Sequence, residues 1–353
     1  MTITAEHETT TAGAAWPLPG ITRAQAQQLF EALAAALGQG VGAGPADRPA
    51  DAPALMTAAP APASVSSSSG EAAVDMEAAE LVERVRPAAP VVAIMGPLRV
   101  IGAAGDAPVA RSTGTVSQAQ TQRCAALAAF LVLYPGASAE AYTAAFWPGE
   151  RADGPAAAAS RNKLSGQLRR YLGQDGEGRP FFPRVGADGY RLHEAVTTDW
   201  QTFCGLVGSE PSRASTPALV AALRLVRGAP FEHARPRNIG WADDLHRVMV
   251  ERITAAAFEL GARAEGAGCV GHRQLAARVA RTVDPSCEAA WRASVAAEAA
   301  AGAREEVARL VEGLYAYLGA VEAEPEAETT ELVARLRAQG YRMGAGWEGL
   351  AGS

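Results

Sequence analysis

The chain has 353 residues, 48% of them hydrophobic and 20% charged, with a formal net charge of −6; at roughly 150 residues per domain this length predicts about two domains with some chain to spare. It lacks an uninterrupted apolar run of about 18 residues, and Met1 to Thr11 is not a basic stretch leading into an apolar one, so a cytoplasmic protein without spanning helix or secretory leader is expected. Lys163 is the single lysine, and it follows Ser160, Arg161 and Asn162 instead of a glycine turn, which excludes a Walker-type phosphate loop and a kinase lysine set.

Residues 1 to 90 carry 4 Arg against 10 Asp and Glu, while the remaining 263 residues carry 28 of each. The acidity therefore belongs to the N-terminal segment. From Val41 to Gly70 this segment is Ala, Pro, Gly and Ser, a linker composition with little to anchor a core. Before it, Ile21 to Leu37 has the spacing of one amphipathic helix; after it, Glu71 to Arg86 reads as a short acidic helical stretch. Residues 1–90 as a whole are expected to form a disordered acidic tail.

Residues 91–205 read as the first folded unit. Val91 to Met95 and Leu98 to Ile101, parted by Gly96-Pro97, are short strands. Ser117 to Tyr134 follows as a helix with Cys124, Leu127, Ala128 and Leu131 on its apolar face, and Pro135-Gly136 ends it. Ser138 caps a short helix from Ala139 to Phe146. Pro155 opens a third helix that runs to Leu172 and stops at Gly173, the usual order of proline in and glycine out. Phe181-Phe182-Pro183 and Gly189 to Leu192 read as a β-hairpin. Strands, three helices and a hairpin, in that order, predict a winged helix-turn-helix of the α+β class.

Residues 216–340 are predicted to be all helix, making the chain mainly α. They contain an internal repeat at a spacing of about 31 residues: Leu260 matches Trp291, Ala264 matches Val295, and Gly271 matches Gly302. Beyond the glycines, Ala276, Val279, Ala280 and Val283 match Val307, Leu310, Val311 and Leu314. Helix pairs that bury their faces only against the next pair are the logic of a TPR-like array.

Several stretches carry a family resemblance: Met95 to Val100, Phe146-Trp147-Pro148, Leu168 to Gly173, Gly189 to Leu192, Asp199 to Phe203, Asp284 to Glu288, Gly302, and Pro325 to Leu332. On these the chain, from about 91 to 340, resembles the winged-helix plus bacterial transcriptional activator domain (BTAD) architecture of actinobacterial SARP-type regulators. The stretch Leu225 to Phe231 with Trp241-Ala242 looks more like the branch that joins BTAD regions to membrane spans and LysM modules, neither of which is present in this sequence. The resemblance implies a transcriptional activator. Its winged helix would bind promoter DNA, and its BTAD would dimerise or contact RNA polymerase.

The helix Pro155–Leu172 is the expected recognition helix. It holds Arg161, Lys163, Arg169 and Arg170 and no acid, inside a unit with 11 basic and 9 acidic residues. With Leu164, Leu168 and Leu172 inward, Asn162, Ser165 and Arg169 are expected on the outer face, with Arg161 and Lys163 at its edges. Arginine pairs with guanine and asparagine with adenine in the major groove. Arg179, Arg184 and Arg191 are the wing candidates for phosphate or minor-groove contact. The plainer reading is that these charges form a solvated face, and that the chain is a protein-interaction adaptor with a degenerate winged helix and a helical-repeat docking surface.

The remaining residues invite less. Cys124, Cys204, Cys269 and Cys287 have no CxxC spacing and read as buried thiols. His193, His233, His246 and His272 lack partners at i+3 or i+4, so no metal is expected. Trp147, Trp200, Trp241 and Trp291 read as core or interface anchors. No nucleophile, base and orienter come together, so neither an enzyme nor a cofactor is expected. Arg227, His233, Arg235 and Arg237 fall in a Pro-broken loop, read as a solvated interdomain segment, with a docking point between the two units as the alternative.

Overall fold

The computed structural model describes residues 66–84, 89–110 and 112–341. The helix expected at Ile21–Leu37 and residues 41–65 of the expected linker lie outside these.

The first described element corrects the expectation of a tail up to residue 90. Helix α1, Ser66–Arg84, buries Ala78 completely, with Val74, Leu81 and Val82 packed against the core. Serine and glycine at 66–70 had suggested linker. The alanines and valines that follow give α1 a narrow apolar edge, and tertiary contact overrides the weak local propensity.

The winged helix comes next. Strands β1 (Val91–Ala93) and β2 (Arg99–Ile101) form an antiparallel hairpin with Val91 opposite Ile101, and β3 (Thr197–Thr198) joins β1 in parallel, giving the order β2-β1-β3. Helix α2 (Gln118–Leu133) is capped by Ser117, and α3 (Ala139–Phe146) by Ser138, each serine hydroxyl accepting a first-turn backbone N–H. Helix α4 (Pro155–Leu172) starts on its proline and ends at Gly173, as the sequence indicates. The three helices close over Leu127, Leu131, Tyr142, Phe146, Leu168 and Phe182, all buried.

The wing differs from the expected hairpin over 181–192. Phe181 and Phe182 are both buried, so this arm does not alternate between core and solvent as a strand would. The two arms are joined by His193 N–H donating to Phe181 O at 2.9 Å, and the returning arm also pairs with the turn between α2 and α3, where Tyr190 N–H donates to Ala137 O and Gly136 N–H to Tyr190 O, both at 2.9 Å.

The second half is helical: α5 (Asp199–Val207), α6 (Thr216–Arg224), α7 (Asp243–Gly266), α8 (Val270–Val283), α9 (Glu288–Ala300), α10 (Arg304–Ala320) and α11 (Ala327–Ala338). The repeat exists with a different register. Gly268 and Gly302, both at positive φ, end α7 and α9 with the same bonds 34 residues apart. Cys269 N–H donates to Ala264 O and Ala303 N–H to Glu298 O; Gly268 N–H donates to Glu265 O and Gly302 N–H to Ala299 O. The buried face follows at a spacing of 35. His272, Leu275, Ala276, Val279, Ala280 and Val283 correspond to Val307, Leu310, Val311, Leu314, Tyr315 and Leu318. The expected spacing of 31 is one helical turn short, because an i, i+3, i+4, i+7 pattern nearly reproduces itself when slid by one turn. Gly271 lies inside the first turn of α8, not at the turn between helices.

A continuous core runs from Ala78 through both halves to Ala290, and a second cluster around Trp291, Val307, Leu314 and Leu336 closes the C-terminal end. The segment 227–232 is part of that continuity, which corrects the solvated-loop reading. Arg227 N–H donates to Met95 O and Phe231 N–H to Ile94 O, both at 2.8 Å. Trp241 stacks edge-on against Phe130, Tyr134 and Phe231. His233 is mostly exposed beyond this contact, its imidazole 3.5 Å from Glu232.

Candidate nucleic-acid interface

Helix α4 buries more of its circumference than its leucines suggest. Ala157, Arg161, Leu164, Ser165, Leu168, Tyr171 and Leu172 all face inward. Arg161 is only 7% exposed; it donates to Thr143 Oγ1 at 2.6 Å and to Ala152 O at 2.9 Å, tying α4 to α3 and to the loop between them. Ser165, 5% exposed, sits in the same packed layer. Neither reaches a nucleic acid from this position, which corrects the edge and outer-face places expected for them.

Arg169 is also committed. Its Nε donates to Phe182 O at 2.8 Å and Nη2 to Pro183 O at 3.0 Å, and its guanidinium lies 4.9 Å from the Phe182 ring centroid. Burial first, and then the nearby Arg184 charge, lower its pKa. Arg169 is therefore the strut that holds the wing against α4, a role that two carbonyl bonds and a stacked ring make specific to arginine.

The exposed residues of α4 are Pro155, Ala156, Ala159, Asn162, Lys163 and Arg170, which share one helix face through steps of three, four and seven. On the wing, Arg184 and Arg191 are exposed. Among the described residues, Lys163, Arg170, Arg184 and Arg191 take part in none of the ion pairs. Arg179, by contrast, is spent on Asp175 at 2.7 Å and Glu177 at 3.2 Å. Arg151, beside the start of α4, pairs with Asp153 at 2.9 Å. Thus the eight residues singled out divide into an exposed set of Asn162, Lys163, Arg170, Arg184 and Arg191 and a structural set of Arg161, Ser165 and Arg169.

The role of one residue in the resemblance stretches is not visible in the sequence. Asp199, at the first position of α5, is buried and accepts backbone N–H bonds from Ile94 at 2.8 Å and Met95 at 3.1 Å while pairing with Arg227. An acid directly after Thr198, which forms a capping box with Gln201, was the available signal. It marked a helix start but gave no hint of the partner strand. The cysteines are free; Cys124 is buried, but Cys204, Cys269 and Cys287 are only partly covered, so only Cys124 has the full burial expected. No helix among the described residues is long and apolar enough to cross a membrane.

A three-helix unit with a wing, followed by a TPR-like helical array, defines the class of fold. No family model matches the chain, and no curated protein sequence matches it. Among solved structures, EmbR of Mycobacterium tuberculosis, in complex with a low-affinity phosphopeptide, aligns at 19% identity over 71% of this chain with a TM-score of 0.44. The alignment covers 65% of that chain, so this protein matches a little under two thirds of its length.

Proposed function

We propose that the protein is a cytoplasmic transcriptional regulator, an activator by its family resemblance, that binds promoter DNA through α4 and the wing. In this reading the helical array serves dimerisation or contact with RNA polymerase, and the protein catalyses no reaction. The observation that supports it is the set of exposed cations, Lys163 and Arg170 on α4 with Arg184 and Arg191 on the wing, which among the described residues have no acidic partner. Arginine and lysine so placed grip phosphates, and Asn162 is the one exposed amide of α4 suited to reading an adenine edge. The test is fluorescence anisotropy of the full chain on promoter-length duplexes over a range of salt. Each phosphate neutralised contributes about −0.9 to the slope of log affinity against log salt, so four cations give about −3.6. Arg170→Ala with Arg184→Ala should bring the slope to about half that value. Asn162→Ala should relax base preference with the slope unchanged. Salt-independent binding would sink the reading.

A second reading has its own observation. Ahead of Asn162 the exposed residues of α4 are Pro155, Ala156 and Ala159, with Ser160 half-buried, where a base-reading helix ordinarily presents more polar side chains. An interaction adaptor needs no such side chains. It predicts no duplex binding at any salt, with partner binding retained when Arg170 and Arg184 are both alanine.

A further inference from the structure

Helix α1 packs along α6 and meets the first turn of α8. Its apolar hold there is slight. Among its described side chains Ala78 alone is fully buried, and Met76 is 65% exposed, whereas α6, α8 and α10 each bury six or seven side chains. Val74, Leu81 and Val82 add half-buried contact, and charge supplies the rest. Asp75 meets His272 Nε2 at 2.8 Å and Arg224 at 2.7 Å. Glu71, one turn earlier on the same face, accepts the backbone N–H of His272 at 2.9 Å. That bond caps α8, whose own N-cap residue, Cys269, contributes none. Gly271 leaves the space for this carboxylate; a methyl group there would overlap it. Beneath the first turns of α1, a half-open pocket of about 320 Å³ is lined by Gly70 and Val74 together with Thr216, Arg263, Cys269 and His272. The small residues of α1 leave this space unfilled.

A helix with one fully buried side chain, three half-buried aliphatic ones and two carboxylate contacts is held less firmly than its fully packed neighbours, and it is a good competitor. We infer that the face formed by α6 and the start of α8 is a docking groove for an acidic amphipathic helix of a partner protein, and that α1 is the intrachain occupant such a helix displaces. The groove fixes the partner's chemistry. His272, its side chain 4% exposed, Arg224 and the backbone N–H of His272 at the start of α8 select two carboxylates one turn apart. The pocket leaves room between them for a side chain larger than valine, with Arg263 and Thr216 on its wall. This is helix-in-groove recognition in which the tethered occupant reduces the apparent affinity of the incoming one. The inference stands independently of DNA binding by α4.

The test uses the full chain and a fluorescein-labelled synthetic peptide of residues 66–84. The unmodified protein should bind the peptide weakly, since its own α1 is in place. Glu71→Lys with Asp75→Lys should free the groove and raise affinity at least tenfold. Adding Arg224→Glu to that variant should abolish the gain, and a peptide carrying E71Q and D75N should lose it. Equal affinity in all proteins, or indifference to the peptide's charge, would overturn the inference. Hydrogen exchange on the unmodified protein provides the second measurement. The α1 amides should exchange at least tenfold faster than those of α6 and α8. Matching protection, or loss of cooperative unfolding in the double lysine variant, would make α1 a structural helix and overturn the proposal.

Discussion

Asp199 and Arg227 join the strand β1, the start of α5 and the segment after α6. Burial pushes the Asp199 carboxyl above the usual carboxylate range, against the pull of two backbone N–H groups and the Arg227 guanidinium. Asp199→Ala would leave Arg227 and both N–H groups without their acceptor, and removing one partner of a buried pair costs about 3–5 kcal/mol. Asp199→Asn keeps one acceptor oxygen and should cost less. Urea midpoints measure both, and an alanine variant within about 1 kcal/mol of the parent would contradict the assignment. The cysteines offer a second check at this scale. Burial raises the pKa of Cys124 to about 12 and that of Cys204 to about 11, and the thiolate is the reactive form. Iodoacetamide at pH 8 should therefore spare both in the folded protein and modify them only after unfolding; rapid labelling of Cys124 in the native state would contradict its burial. Residue roles were the least legible part of the sequence. Local charge drew Arg161 and Arg169 toward DNA, but Thr143, Ala152, Phe182 and Pro183, which fix their direction, lie 9 to 18 residues away along the chain. No pattern within α4 alone reveals them.

Helix boundaries in the winged half were legible because caps are local chemistry. Ser117, Ser138, Pro155 and Gly173 each act at the position where the sequence places them. Helix α4 allows the two kinds of glycine to be compared directly. Gly166 is in the helix interior, and a Cβ there would meet nothing within 4 Å. Gly166→Ala should stabilise the protein by about 0.5–1 kcal/mol through reduced unfolded-state entropy. Gly173 has φ +74°, and a Cβ there would come within 2.8 Å of Gly105 N and 2.9 Å of Ala104 C. Gly173→Ala should cost at least the 1–2 kcal/mol of a left-handed non-glycine residue, with the contact to 104–105 added. Thermal midpoints moving in opposite directions would support both assignments, and a shift of the same sign would refute one. Periodicity was less informative than caps. It located the array but misplaced its register by a turn, because apolar spacing repeats within a helix whereas the Gly268 and Gly302 turns occur once per pair. The same weakness hid the packing of α1: the helical stretch expected from Glu71 overlaps it, but its apolar edge is too narrow to show that it joins the core.

At the scale of the whole molecule, sequence boundaries suggested two folded units, while the core passes through both. The linking loop appeared solvated because it is rich in Arg, Pro and Gly. Its anchors, Phe231 and Trp241, are single aromatics without periodicity, and what they bury is set by partners on α2 more than a hundred residues earlier. That continuity has a mechanical consequence: a load applied to the array reaches the helices of the winged half largely through the aromatic cluster at Trp241. The described body from 89 to 341 should therefore unfold as one cooperative unit, with far-UV ellipticity and tryptophan fluorescence superimposing in urea. Trp241 lies 5.3 Å from the Phe130 ring and donates its indole N–H to Asn238 O at 2.9 Å. Trp241→Ala removes the largest piece of the seam at a cost of about 3 kcal/mol, the low end for a tryptophan truncation because the ring is only half-buried. Without the ring, the halves keep the 94–98 to 227–232 backbone pairing, the Asp199–Arg227 pair, the Gln122 side-chain bond to His233 O and the rest of the shared core. In this variant the two signals should separate, the winged half loosening at lower urea and the array later. Coincident transitions in Trp241→Ala with an unchanged midpoint would show that the coupling runs through the backbone pairing, and would shift the mechanical link between array and winged helix from the aromatic cluster to Asp199.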